Sequence, residues 1–128
     1  MKRRSLELLG KAEGDLRTAR RELRVTEEPS YDSVIFHAHQ CAEKYLKACL
    51  TEWDLEVPRH HELDRLVDLV LDRLPLWTGL QKALIDLTAE FFEARYGHAT
   101  GTLSIAQRCL EIALDIRQRC REALALND

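Results

Sequence analysis

The chain is poor in the residues that build turn-rich proteins, and it lacks a membrane-spanning segment. Its 128 residues include only five glycines and three prolines, which argues against an all-β fold with many tight turns. No apolar run approaches the roughly 18 residues that a membrane-spanning helix needs. The start of the chain is basic, but charged residues interrupt the apolar positions after it, so no signal-peptide core is recognisable. These absences predict a cytoplasmic protein without a membrane contact.

Cysteine is present, but not in a pattern that binds metal. The chain contains no CxxC pair; its four cysteines are Cys41, Cys49, Cys109 and Cys120. The first two lie eight residues apart and the last two eleven, so on a helix neither pair reaches disulfide distance. We interpret all four as small buried side chains of a reducing compartment. Neither a metal nor another cofactor is expected.

The composition is that of one soluble globular domain covering residues 1–128. Hydrophobic residues make up 45% and charged residues 32%, with a formal net charge of −3. The charge is uneven: residues 1–24 carry a local +4, and residues 52–74 a local −4. Two interpretations stay open, namely two solvated helix faces or complementary pairing within the chain or across a dimer.

Apolar residues recur at helical spacing along the whole sequence and predict five helices. The second helix is apolar over the widest arc and is therefore expected to be central. The predicted fold class is all-α: an antiparallel four-helix up-and-down bundle with one additional short helix. The predicted helices cover residues 5–25, 31–52, 63–74, 78–96 and 103–126.

Capping signals and glycines predict how the last two helices begin and end. Thr78 with Gln81, and Ser104 with Gln107, are spaced as capping boxes at the starts of these helices. Phe91 and Phe92 are expected to be the last apolar anchors of the fourth helix. Gly97 and Gly101 are expected to release the chain before the final helix.

The polar residues of the second helix form two rows. One row steps by 3, 4 and 3 residues and contains His37, Gln40, Lys44 and Lys47. The other steps by 4 and 4 and contains His39, Glu43 and Lys47, a spacing at which side chains form a ladder. Such rows are either a solvated helix edge with ordinary ion pairs or a groove that holds a phosphate or a partner protein.

The order of short motifs along the chain resembles the HEPN family (higher eukaryotes and prokaryotes nucleotide-binding domain). Gln40-x-x-Glu43-Lys44-x-x-Lys47, after an aromatic-His start, is similar to the hallmark second helix of that family. Ala12-x-x-Asp15-Leu16 resembles its first helix. Pro58-x-x-His61-x-Leu63 resembles the connector into its third helix, and Ala94-Arg95-Tyr96 resembles the segment that follows its fourth helix.

The resemblance implies a helical domain that forms a homodimer and acts with a minimal nucleotidyltransferase, in many cases as a toxin–antitoxin pair. It also implies contact with a nucleotide or RNA. The residues it assigns to nucleotide or partner binding are His37, Gln40, Glu43, Lys44, Lys47, Arg95 and Tyr96.

The resemblance leaves open whether the protein is an enzyme. Several family members are metal-independent RNases with an R-x4-6-H motif, in which the histidine takes the 2′-hydroxyl proton and the arginine stabilises the phosphorane. Here Arg95 and His98 form the shorter R-x2-H. We expect both to lie at or just past the C-terminal end of the fourth helix and to bind an anion without cleavage. The alternative is an RNase with an atypical Arg95/His98 site. The simplest interpretation of Arg95 is a salt bridge to Glu90 or Glu93.

Overall fold

Five α-helices make up most of the computed structural model. The structure describes residues 1–58, 63–77 and 79–126, with the backbone alone for Asp64 and Leu76. No strand occurs within these ranges, which confirms the all-α prediction. The elements are α1 (Arg3–Leu23), α2 (Tyr31–Glu52), α3 (Leu63–Arg73), a short 3₁₀ turn (Pro75–Trp77), α4 (Leu80–Tyr96) and α5 (Leu103–Ala123).

The predicted bounds hold best for α2, which begins and ends where the apolar pattern indicates. Ser30 precedes it, and the Ser30 side chain accepts a hydrogen bond from the Ser33 N–H at 3.2 Å. The predicted capping box of α5 is wrong, although the helix begins at Leu103 as predicted. Its N-cap is Thr102, whose side chain accepts from the Ile105 N–H at 3.3 Å. The Ser104–Gln107 pair therefore lies inside the helix and forms no capping box.

The start of α4 also differs from the prediction. Gly79 occupies the N-cap position and has no side chain with which to cap. The Gln81 amide, which a capping box would turn back to the backbone, instead donates to Asp68 Oδ1 on α3 at 3.0 Å. Thr78 lies outside the described residues, as do residues 59–62, which include His61 of the predicted connector.

Helix α2 is the centre of the molecule, as its wide apolar arc predicts. It contacts each of the other four helices. Thirteen of its side chains are buried, and the largest fully buried ones include Tyr45, Ile35, Leu46 and Leu50. Every other helix therefore packs one face against α2, and the polar side chains of α2 meet neighbouring helices rather than open solvent.

Polar contacts show how the neighbouring helices run. Helix α1 runs antiparallel to α2, because residues near the start of α1 contact residues near the end of α2, and the reverse. The contacts are Lys2 with Asp54, Asp15 with His37, and Glu22 with Ser30. Helix α5 runs in the same direction as α2, because Gly101, just before α5, contacts Asp32 at the start of α2, and Arg121, near the end of α5, contacts Tyr45 farther along α2. The C-terminal turn of α4 lies over the N-terminal turns of α2, through Phe91 with His39 and Arg95 with Phe36.

All four cysteines are buried and free, which confirms their interpretation as core side chains. Burial raises the pKa of Cys41 and of Cys109 to about 12, so both remain protonated thiols. Burial also raises the pKa of Cys120, whose thiol contacts that of Cys49 on α2. The spacing of cysteines within one helix could not predict this contact between helices.

Candidate functional site

A pocket of about 560 Å³ lies where the start of α2 meets the end of α4. Pockets of a few hundred to a thousand cubic ångströms are typical of small-molecule sites. From α2 the lining includes Ser30, Asp32, Ser33 and Phe36. From α4 it includes Phe91, Arg95 and Tyr96. The pocket thus combines a guanidinium, a carboxylate, two hydroxyls and an aromatic wall.

Arg95 lies in the last turn of α4, as the sequence predicts, but it does not make the expected salt bridge. Its guanidinium carbon lies 4.9 Å from the centroid of the Phe36 ring, a cation–π arrangement. Within the described ranges no carboxylate lies at ion-pair distance from Arg95. Glu93, one of the two expected partners, accepts the Ala99 N–H at 3.3 Å instead. Among the described residues, the Arg95 guanidinium thus contacts an aromatic ring and no carboxylate.

Aromatic side chains extend from the pocket along the outer face of α4. Phe91 is buried and stacks on the buried His39 with ring centroids 3.9 Å apart. Phe92 is 47% exposed, so the prediction that both phenylalanines anchor the helix is wrong for Phe92. Adjacent residues of a helix point about 100° apart, and only Phe91 can face α2. Tyr96 is 72% exposed and stacks against Phe92 at 6.1 Å.

His98 lies in the segment between α4 and α5, two residues after α4 ends. Two carboxylates hold this segment: Glu93 through the Ala99 N–H, and Asp32 through the Gly101 N–H at 2.7 Å. Gly101 is packed so closely that a Cβ atom would lie 2.6 Å from Ile35 Cδ1. His98 is exposed and is not among the residues that line the pocket. Within a single protomer, Arg95 thus lines the pocket and His98 does not.

Two members of the first polar row of α2, His37 and Lys44, contact α1 rather than the pocket. His37 Nδ1 and Lys44 Nζ converge on the two carboxylate oxygens of Asp15, at 2.8 Å and 2.5 Å. The Asp15 side chain is 11% exposed, and those of His37 and Lys44 about a quarter. The first-helix motif contains Asp15 but assigns it no contact. A polar row on α2 opposite a lone acid on α1 could have indicated this cluster.

The second polar row is split between two neighbours. Lys47 pairs with the buried Glu43 at 3.5 Å, as the ladder predicts. His39 is fully buried, and its ring stacks on Phe91 of α4. Gln40 is also buried, at 9% exposed. Of the residues that the resemblance assigns to binding, the structure therefore brings Arg95 and Tyr96 to the pocket and His37 and Lys44 to Asp15.

A further ionic cluster, which the sequence did not predict, joins α1 to α5. The Arg117 guanidinium holds both carboxylate oxygens of Glu13, with nitrogen–oxygen distances from 2.8 to 3.1 Å. Burial by itself raises the pKa of Glu13, but the hydrogen bonds and charge of Arg117 outweigh it and the pKa lies below its usual value. Arg121 contacts Glu13 at 3.8 Å and donates to the Tyr45 hydroxyl at 3.4 Å. Burial raises the pKa of Tyr45 to about 12.

Comparison with known protein families decides the classification. The HEPN domain model matches residues 5–123, nearly the whole chain. The chain belongs to the HEPN family. Searches of curated proteins and of solved structures gave no match. The family match confirms the resemblance drawn from the four motifs, two of which carry Arg95 and Lys44.

Two further observations concern metal binding and membrane-spanning helices in this HEPN domain. Among the described residues, no three His, Cys, Asp or Glu side chains are grouped so that they could hold a metal ion. None of the helices that the structure describes is both long enough and apolar enough to cross a membrane.

Proposed function

We propose that this HEPN domain is a homodimeric module that binds a nucleotide in the Arg95 pocket and acts with a minimal nucleotidyltransferase as a toxin–antitoxin pair. In this proposal residues 1–128 form one domain. Helices α1, α2, α4 and α5 form an antiparallel four-helix bundle, and α3 is the additional short helix. The family membership supports a role related to nucleotides or RNA; the partner and the physiological pairing are our proposal.

The observation that carries the proposal is the guanidinium of Arg95 over the Phe36 ring, with no carboxylate partner among the described residues. A guanidinium binds phosphate oxygens through two parallel hydrogen bonds, and its attraction is strongest where no carboxylate competes. The aromatic ring holds the charge in place without neutralising it. Phe36, Phe91 and Tyr96 provide apolar surface for a base or ribose in the same pocket. This combination suits a ligand with one anionic end and one planar end.

A stripe on the outer face of α4 supports the homodimer. Its members, which we call the α4 seam, step by 4, 3 and 4 residues and are Ile85, Ala89, Phe92 and Tyr96. This is the spacing of a helix that packs along another helix. The Ile85 side chain is 54% exposed and that of Phe92 47%. Exposure of large apolar side chains in one row is unfavourable in water and is typical of an interaction surface. Two α4 seams meeting across a twofold axis would cover each other.

In such a dimer the two Arg95 pockets would border the same interface, because Tyr96 belongs to both the α4 seam and the pocket lining. The alternative function, a metal-independent RNase, would use this arrangement with His98 supplied across the axis. We favour binding without cleavage because His98 does not line the pocket of its own chain. A proton acceptor must reach the 2′-hydroxyl within hydrogen-bond distance.

Calorimetric titration with mononucleotides tests the binding proposal. We expect wild-type protein to bind a purine mononucleotide and Arg95→Ala to weaken that binding about tenfold or more, the usual effect of losing one charge-assisted contact. Arg3→Ala is the matched control, because Arg3 is an arginine at the start of α1 with a 93% exposed side chain. Binding that survives Arg95→Ala unchanged would refute the pocket assignment.

Incubation of a mixed RNA pool in EDTA separates binding from cleavage. We expect no cleavage by wild-type protein. Metal-independent cleavage that Arg95→Ala and His98→Ala both abolish would establish the RNase alternative instead. For the partner, co-expression with a minimal nucleotidyltransferase encoded beside this chain should yield a complex on size-exclusion chromatography. Failure of the two proteins to co-elute would refute the pairing.

A further inference from the structure

We propose that the pocket selects guanine nucleotides, with the ligand phosphate on Arg95 and the Watson–Crick edge of the base on Asp32. This inference rests on the proposed nucleotide site and adds the identity of the base and the orientation of the ligand. It is based on the electrical asymmetry of the pocket. Arg95 and Asp32 both line the pocket and contribute opposite charges.

The two charged groups are separated along α2. Asp32 lies one helical turn before Phe36, and the Arg95 guanidinium lies over the Phe36 ring. One turn of α-helix is about 5.4 Å of axial rise. In the part of the chain that the structure describes, Asp32 and Arg95 do not form an ion pair with each other. Each is thus available to a different end of one ligand.

The carboxylate of Asp32 is fixed but not saturated. Its Oδ1 atom accepts the Gly101 N–H at 2.7 Å, which holds the side chain at the mouth of the pocket. No described donor contacts Oδ2. A carboxylate has about four lone-pair sites, so both oxygens can accept further hydrogen bonds. An ionised group held in this way is a ready acceptor for a ligand with N–H groups.

The sign of the charge excludes a phosphate near Asp32 and favours a donor. Two negative groups a few ångströms apart repel, so the phosphate is directed to Arg95 and the base to Asp32. Of the four RNA bases, guanine alone presents two adjacent donors, N1–H and N2–H, on its Watson–Crick edge. Adenine and cytosine present one donor beside a ring nitrogen that repels a carboxylate, and uracil places its one N–H between two carbonyls. A bidentate match to Asp32 is therefore specific for guanine.

Titration of three mononucleotides tests this assignment. We expect wild-type protein to bind GMP about tenfold or more tightly than AMP, the range expected for one bidentate contact. IMP, which lacks the N2 amino group, should fall between them. Asp32→Asn should weaken the binding of GMP and bring its affinity within about threefold of that of AMP. Asp86→Asn is the matched control, because Asp86 lies on α4 outside this pocket and pairs with Lys82.

The asparagine variant also separates a direct contact from an indirect one. An asparagine oxygen can still accept the Gly101 N–H, and the Gly101 amide resonance in an NMR spectrum reports whether that bond persists. If the Gly101 hydrogen bond persists and the preference for GMP is lost, Asp32 contacts the base directly. Equal binding of GMP and AMP by wild-type protein, or a preference for GMP that survives Asp32→Asn, overturns the assignment. If no mononucleotide binds, or if Arg95→Ala has no effect, the nucleotide site itself is wrong.

Discussion

Lys44 distinguishes a structural role of the α2 polar row from a binding role. Its ammonium lies 2.5 Å from Asp15 Oδ2, and His37 Nδ1 lies 2.8 Å from the other oxygen. The Asp15 side chain is only 11% exposed, so removal of Lys44 leaves a charge that water can barely reach. The structure therefore predicts that substitutions of Lys44 act first on stability.

The size of the effect follows from the burial of the pair. A hydrogen bond to a charged group contributes about 1.5–3 kcal/mol, and an amide can replace part of it, so we expect Lys44→Gln to cost about 2 kcal/mol. Lys44→Glu places two carboxylates together and should cost about 3–5 kcal/mol, the range for breaking a buried pair.

Lys82 provides the matched control. It pairs with Asp86 at 3.1 Å, but its side chain is 85% exposed. Exposed pairs contribute about 0–1 kcal/mol, so Lys82→Gln should change stability by less than about 0.5 kcal/mol. Urea denaturation followed by circular dichroism measures both free energies of unfolding. Equal effects at Lys44 and Lys82 would refute the argument from burial. A stable, folded Lys44→Gln protein that has lost nucleotide binding would show that the α2 row is a binding surface after all.

Three further predictions concern assembly, packing and pH. Phe92→Glu, in the middle of the α4 seam, should convert a dimer to a monomer in sedimentation at tens of micromolar (about the range of weak dimers); a wild-type monomer would refute the seam. Gly10→Ala should stabilise the protein by about 0.5–1 kcal/mol, because Gly10 lies inside α1 with nothing within 4 Å of an added Cβ atom. Gly101→Ala should instead destabilise by about 1–2 kcal/mol, because its Cβ atom would meet Ile35; the same sign for both variants in urea would contradict this. Glu13 has a lowered pKa in the folded state, so its contribution to stability is present above its unfolded pKa and is lost as the pH falls through its folded pKa. Glu13→Gln should accordingly reduce the loss of stability on acidification relative to wild type in parallel denaturations; an unchanged acid dependence would refute the role of the Arg117 pair.

The helices could be predicted from the sequence because burial repeats at the helical period. The predicted bounds of α2 match the observed ones, and its apolar width correctly placed it at the centre. The capping residues could not be predicted in this way. Ser, Thr and Gln occur close together near the helix starts. Which residue takes the N-cap position depends on the conformation of the segment before the helix. Thr102 rather than Ser104 caps α5 because Asp32 holds Gly101 at that point.

The candidate site was predictable only as a set of residue types. The motifs identified Arg95 and Tyr96, but closeness in sequence favoured a salt bridge from Arg95 to a glutamate of the same helix. The observed partner is Phe36, which lies 59 positions earlier in the chain and reaches Arg95 through the packing of α4 on α2. Glu93 and Asp32 meanwhile hold the segment after α4. Both carboxylates thus accept backbone N–H groups of that segment rather than pairing with Arg95. The pocket is therefore lined by a guanidinium and a carboxylate that, among the described residues, do not pair with each other, and the proposed ligand would satisfy both through its phosphate and its N–H donors.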